Sequence, residues 1–452
     1  MTSRNWSDVA SRIGSVILII TGTLIFLLPA IINGYPLVYS DTSTYIASGF
    51  TLQPPVDRPI MYGLFLRFTS LNGVTLWSVV VLQGLLLSML LYRVHNFLAD
   101  GFDKKWKSTG YLLLVTISSL SGAGWAASHL MPDIFTSIMV LTFLLIILEA
   151  RASRSSVSMY ILFGISVAVH FSHVPISLAL LLIAFLVWIY QHRRGTKPFK
   201  LRILAILLGI ILLGYGSMAS SSSKSRHVFL MGAFIEQGII GEFLQEHCEE
   251  RPYKLCAFRD SLPAYSWQFI WEPSSPLYQL GGWKETREEF SEIINQTFTS
   301  PKYIWIHVKA SLRETGKQVV RFQTVQPLGV APNREQLRAR IFQYIPSDGE
   351  RYDGAIQNKT NLLALVWLNP VQLILIFLSL ALLSYVVYRK QAWKIPPLRM
   401  TALIILSAIL LNAFISGTFA NAIDRMGNKM IWLLPMVTIL LLIDTNRSYN
   451  RE

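Results

Sequence analysis

Charged residues are scarce in this 452-residue sequence, and their scarcity limits the classes of protein that it can encode. Asp, Glu, Lys and Arg make up only 15% of the chain, whereas 52% of the residues are hydrophobic and the mean hydropathy is +0.44. A soluble protein with this balance would expose far too much apolar surface to water. We therefore expect lipid to be part of the solvent of this protein.

Several catalytic signatures are also missing. The sequence has no phosphate-binding glycine loop, nucleophile elbow, zinc-protease helix or paired-cysteine metal knuckle. Its only cysteines, Cys248 and Cys256, lie in one long polar segment. They are disulfide candidates if that segment occupies an oxidising compartment, and otherwise two reduced structural thiols.

Long apolar runs predict an all-α polytopic membrane protein with about ten transmembrane helices, because a span needs roughly 20 apolar residues. The first run, from Ile13 to Ile32, is interpreted as a retained anchor rather than a signal peptide. The segment from His170 to Pro175 is predicted to be a tight turn between two short helices. The predicted spans are 13–33, 73–93, 109–127, 134–150, 158–172, 175–190, 202–219, 362–388, 400–420 and 430–444.

The distribution of basic residues predicts the orientation of the chain. With ten spans, the segments at 4–12, 93–107, 151–154, 193–202, 389–399 and 447–451 lie on one side and are rich in Lys and Arg. The short segments on the other side carry only Arg58, Arg67, Arg425 and Lys429. The positive-inside rule then places both termini in the cytoplasm, and we expect a bacterial inner membrane. Most of the net charge of +14 is therefore explained by the orientation of the chain in the membrane, and no nucleic-acid partner is expected.

The same topology divides the chain into three predicted parts. Residues 1–219 form a membrane module of seven helices with a first outer loop at 34–72, and residues 362–452 form a three-helix membrane module. Between them, residues 220–361 are predicted to be an α-rich extracytoplasmic domain, with helices over 285–296 and 301–319. We see no tandem repeat.

Two carboxylates are candidates for chemistry on the outer side. Asp41 follows the first span, where it is placed to act as a general base on an acceptor hydroxyl. Asp133 lies in the second outer loop, 128–133. The alternative for each residue is a helix cap, because Asp41 precedes a predicted helix from Thr42 to Gly49 and Asp133 precedes a span.

Histidines and cations complete this predicted face. His129 lies beside Asp133, and His170 and His173 lie in the third outer turn, where they are candidates for phosphate or metal binding or simply hydrogen-bonded turn residues. Arg425 and Lys429 would share one side of a helix and neutralise a phosphate. For Lys429, attraction to anionic headgroups or pairing with Asp424 is the favoured interpretation. Further candidate cations for substrate binding are Arg58, Lys224 and Arg226.

This layout resembles the GT-C superfamily of membrane glycosyltransferases. The resemblance rests on Ser40-Asp41, aromatic Tyr45 and the stretch from Arg58 to Gly63 in the first loop, on Asp133, and on a large outer domain after the seventh helix. It implies transfer of a sugar from a polyprenyl-phosphate or pyrophosphate carrier to a lipid, glycan or protein acceptor, in cell-envelope assembly. It also implies that Asp41 is the base and Asp133 the supporting carboxylate.

One departure from the family leaves a divalent cation open as cofactor. Some members carry a pair of acidic residues at the first position, whereas Asp41 is flanked by Ser40 and Thr42. The alternatives to a transferase are a secondary transporter or lipid flippase and a non-catalytic envelope assembly protein. Transporters usually carry ionisable residues near the bilayer midplane, where this sequence has almost none, so surface chemistry is favoured.

Overall fold

The structure is a computed structural model that describes residues 3–99, 103–151, 156–195, 199–325, 334–360, 365–389 and 395–449. Within these ranges every regular element is a helix, and an isolated bridge joins Leu37 to His129. Parts of the predicted cytoplasmic segments, at 100–102, 152–155, 196–198, 390–394 and 450–452, lie outside the described residues.

The helices of the described ranges are numbered along the chain. The first nine are α1 (Ser3–Asn33), α2 (Thr42–Thr51), α3 (Met61–Thr69), α4 (Trp77–Leu98), α5 (Lys104–Ser118), α6 (Gly124–Ser128), α7 (Ile134–Arg151), α8 (Val157–Ala168) and α9 (His173–Arg193). The next ten begin with α10 (Arg202–Glu236), which starts in the predicted seventh span. The others lie in the long polar segment: α11 (Ile239–His247), α12 (Ser266–Trp271), α13 (Pro276–Gln279), α14 (Gly282–Glu285), α15 (Arg287–Thr299), α16 (Pro301–Val320), α17 (Arg334–Tyr344), α18 (Gly349–Gly354) and α19 (Ile356–Thr360). The last four are α20 (Leu368–Arg389), α21 (Pro396–Phe419), α22 (Asp424–Ile431) and α23 (Leu433–Tyr449).

Eight stretches of helix in the described residues are long and apolar enough to cross a membrane, which indicates a membrane protein. Ten full spans are not shown. Two of the predicted spans correspond to shorter apolar helices, Ile134–Ala150 and Val157–Ala168. Twelve residues of α8 reach only about 18 Å, which is less than the ~30 Å hydrocarbon core. The eight stretches are Ser11–Asn33, Trp77–Leu98, Lys105–Ser128, His173–Arg193, Arg202–Glu236, Leu368–Arg389, Pro396–Phe419 and Asp424–Leu442.

Helix α7 forms the centre of the bundle. Its side chains from Ile134 to Leu148 are all buried, and α7 packs against α4, α8, α9, α21 and α22. A helix that is apolar on every side is stable only when neighbours surround it. The predicted turn between α8 and α9 is observed, but it ends at Ser172 because His173 to Pro175 form the first turn of α9. Near the start of α7, Thr136 bonds His173 of α9 and Ser137 donates to the carbonyl of Lys429 in α22, so α9 and α22 meet at this end of α7.

The long polar segment is helical, and no break in the helix separates it from the predicted seventh span. Helix α10 runs 35 residues from the predicted seventh span into the polar segment. Residues from 228 to 310 form a core of their own, whereas Leu337, Ile341, Ile345 and Tyr352 pack into the core of the membrane helices. A disulfide joins Cys248 and Cys256 in the first of these cores. The predicted helices near 285–296 and 301–319 are observed as α15 and α16.

Candidate functional site

The first and second loops are held together by backbone hydrogen bonds. The amide of Leu37 donates to the carbonyl of Ser128 at 2.9 Å, and the amide of Leu130 donates back to the carbonyl of Leu37 at 2.8 Å. The hydroxyl of Thr42 also donates to the carbonyl of Leu130 at 3.2 Å. These bonds fix the loop of Asp41 against the loop of Asp133.

A close approach of two helices shapes the first loop. Helices α2 and α3 meet at Gly49 and Gly63, where a Cβ on Gly49 would lie 2.2 Å from the carbonyl oxygen of Gly63. The absence of side chains at both positions lets α2 and α3 pack with their backbones in contact. As a result Arg58, in the connection between these helices, reaches back to Asp41 at the start of α2.

Asp41 lies between two guanidinium groups. Its Oδ1 is 3.2 Å from Nη1 of Arg58, and its Oδ2 is 3.0 Å from Nη1 of Arg425. Asp41 precedes α2, but its backbone is helical and its side chain makes no cap hydrogen bond. The helix-cap alternative therefore does not account for this carboxylate. With 26% of its side chain exposed, Asp41 remains open to solvent and to a ligand.

Asp133 is more deeply buried and faces the other side of the same cations. Its carboxylate oxygens lie 4.0 Å from Nη1 of Arg425 and 4.0 Å from Nζ of Lys429. Only 8% of the Asp133 side chain and 1% of the Lys429 side chain are exposed. Arg425 thus lies between the two carboxylates and Lys429 lies behind Asp133. We call Asp41, Arg58, Asp133, Arg425 and Lys429 the ion cluster.

Aromatic rings support the two arginines. The guanidinium carbon of Arg425 is 4.5 Å from the ring centre of Tyr39, and that of Arg58 is 5.1 Å from the ring centre of Tyr45. Such contacts hold planar cations in a fixed orientation through the face of the guanidinium rather than through its N–H groups. Arg58 uses its N–H groups to bind the carboxylates of Asp57 and Asp41. Tyr45 is 3% exposed, so in this state it supports Arg58 from within the protein.

Helix α22 carries both Arg425 and Lys429 on one face, as their four-residue spacing predicts. The helix comes close to a π-helical turn, Ser119–Ala123, between α5 and α6. Gly122 in this turn has φ 129°, and a Cβ there would lie 2.3 Å from Oδ1 of Asn428. Glycine is therefore needed at this position both for its backbone conformation and for the approach of α22.

Opposing effects act on the carboxyl of Asp41. Burial favours its neutral form, but attraction to Arg58 and Arg425 and the hydrogen bonds from both outweigh burial and lower its pKa from the ordinary value. The carboxylate is consequently charged at neutral pH. While both arginines remain in contact with it, its ability to accept a proton is reduced.

A small cavity of about 40 Å³ adjoins the ion cluster. This volume holds a few water molecules or part of a phosphate group but not a sugar ring. Three nitrogen atoms at the cavity, Nζ of Lys429, Nε of Arg425 and Nε2 of His129, are buried and have no hydrogen-bond partner among the described residues. The lining residues are Tyr39, Trp125, Ala126, His129, Met131, Asp133, Gln323, Thr324, Arg425, Asn428 and Lys429.

The three predicted histidines have different surroundings. His129 lines the cavity, and burial together with the charge of Arg425 lowers its pKa to about 3, so it is neutral. His170 bonds Ser172 at 2.9 Å, and burial and the cations of the cluster, led by Lys429, hold its pKa well below the usual value. His173 is buried and bonds Thr136 and the carbonyl of Ser166. The hydrogen-bonded turn interpretation therefore describes His170 and His173 in this structure.

Not every predicted cation joins the site. Lys224 and Arg226 are exposed on α10, and no hydrogen bond or ion pair links either of them to the ion cluster in the described part of the chain. Lys429 differs from the favoured interpretation. Lys429 faces Asp133 rather than Asp424. The carboxylate of Asp424 instead accepts a hydrogen bond from the backbone amide of Gln323. The i, i+4 spacing identified Lys429 as a candidate in the sequence. Its partner depends on which carboxylate is buried beside it in the fold.

Gln323 and Thr324 are residues that the sequence did not identify. They line the cavity from the segment that follows α16. Thr324 donates its hydroxyl to Asn428 at 3.0 Å and its amide to Gln372 at 3.1 Å. No motif marks these residues, because their position depends on contacts with helices about 50 and 100 residues away. Among the described residues, no group of three or more His, Cys, Asp and Glu side chains is arranged to hold a metal ion.

Comparisons with known proteins provide no relative for this chain. No family model, no curated protein and no solved structure matches it.

Proposed function

We propose that this protein is a membrane glycosyltransferase of the GT-C type. It moves a sugar from a polyprenyl-phosphate or pyrophosphate carrier to an acceptor hydroxyl of a lipid, glycan or protein, at the extracytoplasmic face, in envelope glycan or glycolipid assembly. The observation that carries the proposal is the ion cluster itself. Two carboxylates and three cations from widely separated segments meet in this cluster, and aromatic rings pack on both arginines. Three members of the cluster, Asp133, Arg425 and Lys429, line the cavity.

The proposed reaction is a displacement at the anomeric carbon of the sugar. The acceptor oxygen forms a bond to this carbon as the bond between the carbon and the carrier phosphate breaks. Asp41 takes the proton of the acceptor hydroxyl, and the bonding electrons leave with the phosphate. Arg425 and Lys429 stabilise the negative charge of that leaving group, because preorganised cations in a partly buried site act strongly on developing charge.

The two arginines link donor binding to the basicity of Asp41. A carrier phosphate that pairs with Arg58 and Arg425 competes with Asp41 for the same N–H groups. As these contacts weaken, the pKa of Asp41 rises and the carboxylate becomes a better proton acceptor. Donor binding would therefore activate the base. Without a donor, Asp41 would stay paired with both arginines and would be a weaker proton acceptor.

The buried ammonium of Lys429 supports an anionic rather than a neutral ligand. The Lys429 side chain is 1% exposed, and its Nζ is 4.0 Å from Oδ1 of Asp133, without a hydrogen bond among the described residues. Burial of a poorly paired charge is costly, so a site that keeps one gains from an anion that pairs with it. The small cavity, which Asp133, Arg425 and Lys429 line, would take part of the phosphate, and the sugar ring would stay outside it.

The test uses purified full-length protein and a panel of polyprenyl-phosphate-linked hexoses, with release of polyprenyl phosphate measured by mass spectrometry. The wild type should cleave at least one donor, and Asp41→Asn should slow release about 100-fold or more while the protein stays folded and inserted. Asp353→Asn, on α18 and outside the ion cluster, is the matched control and should keep wild-type rates. Full activity of Asp41→Asn would exclude Asp41 as the base. Movement of polyprenyl phosphate across liposomes without cleavage would favour a flippase.

A further inference from the structure

Helix α16 has a face that packs against the rest of the protein. The buried residues recur every three or four positions, as expected for one side of a helix. This face packs against α15 and against α21, and Gly417 of α21 comes so close that a Cβ there would lie 2.7 Å from the carbonyl oxygen of Glu314. The buried residues are Tyr303, His307, Ala310, Glu314 and Gln318.

A second face of α16 is apolar and exposed. Its residues follow the same helical spacing, shifted by about a quarter to a half turn from the buried face, so they form a stripe along most of the helix. Soluble surfaces rarely expose such a continuous apolar stripe. The exposed residues are Ile304 (44%), Trp305 (57%), Val308 (40%), Leu312 (69%) and Val319 (42%).

Basic side chains border the stripe on its other edge. Lys302, Lys309, Arg313 and Lys317 follow the helix at intervals of seven, four and four residues. Lys302 pairs with Glu242 and Glu246, and Arg313 and Lys317 pair with Glu314, so Lys309 is the one of the four for which the described residues show no ion pair. Nζ of Lys309 lies 5.4 Å from the ring centre of Trp305. An amphipathic helix with Trp and Leu on one face and Lys and Arg beside it is typical of helices that lie in a membrane interface.

The position of α16 favours the membrane as the surface that covers the stripe. Helix α21 is one of the membrane-length helices, and α16 packs beside the end of α21 that leads into α22. At the end of α16, the side chain of Gln318 donates to the carbonyl of Ile423 at 3.0 Å, in the connection before α22. The charged residues of α16 exclude a span across the hydrocarbon core.

We propose that α16 lies in the membrane–water interface, with its apolar stripe in the boundary between headgroups and acyl chains and with Lys309 toward anionic phospholipid headgroups. This contact would hold the segment after α16, which contains Gln323 and Thr324, at a fixed height above the bilayer beside the cavity. The inference does not depend on the reaction that the ion cluster performs.

The test places a fluorescent bimane label on the stripe. The two cysteines of the chain form a disulfide, so Leu312→Cys introduces the only free thiol. The labelled full-length protein is reconstituted in nanodiscs of phosphatidylcholine with or without phosphatidylglycerol. Quenching is measured with a lipid-borne nitroxide and with aqueous iodide. Asp260→Cys, whose native side chain is 83% exposed in the polar segment, is the control.

We expect the nitroxide lipid to quench the label at 312 and iodide to quench the label at 260. Phosphatidylglycerol should increase the quenching at 312, and Lys309→Glu should abolish that increase. Labelling at Val308→Cys repeats the measurement if Leu312→Cys folds poorly. Iodide quenching at 312 equal to that at 260 would overturn the proposal. So would protection from both quenchers, since a second copy or another protein would then cover the stripe.

Discussion

Nη1 of Arg425 lies 3.0 Å from Oδ2 of Asp41, although 384 positions separate the two residues in the chain. The same nitrogen is 4.0 Å from Asp133. One arginine near the C-terminus therefore connects the two carboxylates that the first and second loops supply. Replacing Arg425 should therefore affect three properties: the electrostatics of the reaction, the position of Asp41 and the stability of the protein.

Arg425→Gln should slow polyprenyl phosphate release about 100- to 1000-fold, the range reported for loss of one preorganised stabilising group. Arg425→Lys should recover part of the rate, because a lysine restores charge but not the planar guanidinium that faces both carboxylates. Arg67→Gln is the control, since Arg67 lies on α3, on the same predicted outer side, but binds Asn72 at 2.8 Å outside the cluster. Equal rates for Arg425→Gln and Arg67→Gln would contradict the proposed role.

Loss of Asp133 should destabilise the protein more than loss of its partner. Asp133→Ala leaves the ammonium of Lys429 buried without its carboxylate, which costs about 3–5 kcal/mol for a buried pair with one member removed. Lys429→Met keeps the volume and leaves Asp133 beside a second cation, Arg425 at 4.0 Å, so its unfolding temperature should fall less than that of Asp133→Ala while activity falls. Thermal unfolding in detergent tests this order. A lower unfolding temperature for Lys429→Met than for Asp133→Ala would contradict it.

His129 should make stability depend on pH. Burial, followed by the charge of Arg425, lowers its pKa to about 3, whereas an unfolded histidine titrates near ~6.5. The unfolded state therefore binds more protons between these values. The contribution of His129 is complete above about pH 6.5 and is lost as the pH falls toward 3. The unfolding temperature should decrease over this window, and His129→Gln should make the decrease shallower. A parallel curve for the variant would assign the effect to other groups.

Asp348 should be a structural anchor of the segment after α17. It is fully buried, and its carboxylate accepts three hydrogen bonds. The donors are the hydroxyl of Tyr35 at 3.2 Å, the hydroxyl of Thr75 at 3.0 Å and the backbone amide of Leu76 at 2.7 Å. Asp348→Ala leaves these donors unsatisfied and should lower the free energy of unfolding by about 2–4 kcal/mol.

The control for Asp348 lies in the same segment. Asp353→Ala breaks an exposed ion pair with Arg338 and should change the unfolding free energy by less than about 1 kcal/mol. Chemical denaturation of both variants in the same detergent gives the comparison. Similar losses for the two variants would show that Asp348 does not anchor the segment.

Local sequence was sufficient for the features that depend on short-range rules. The apolar runs predicted helices, and the break at His170 to Pro175 predicted the turn before α9. Four-residue spacing placed Arg425 and Lys429 on one face of α22. Composition indicated lipid as a solvent. Each of these inferences depends on periodicity or on residue chemistry within about 20 positions, so no knowledge of long-range packing was required.

Tertiary packing decided the partners of the charged residues. The sequence left Asp41 as either a general base or a helix cap, and only the approach of α22 to the first loop gives it Arg425. Lys429 has Asp424 five positions away, yet it faces Asp133 because α22 packs against α7 and the π-helical turn. Charge pairing is set by distance in space, and the distance between residues hundreds of positions apart depends on the whole bundle. The sequence alone therefore determined the class of molecule and its candidate side chains, and the fold determined which of them meet.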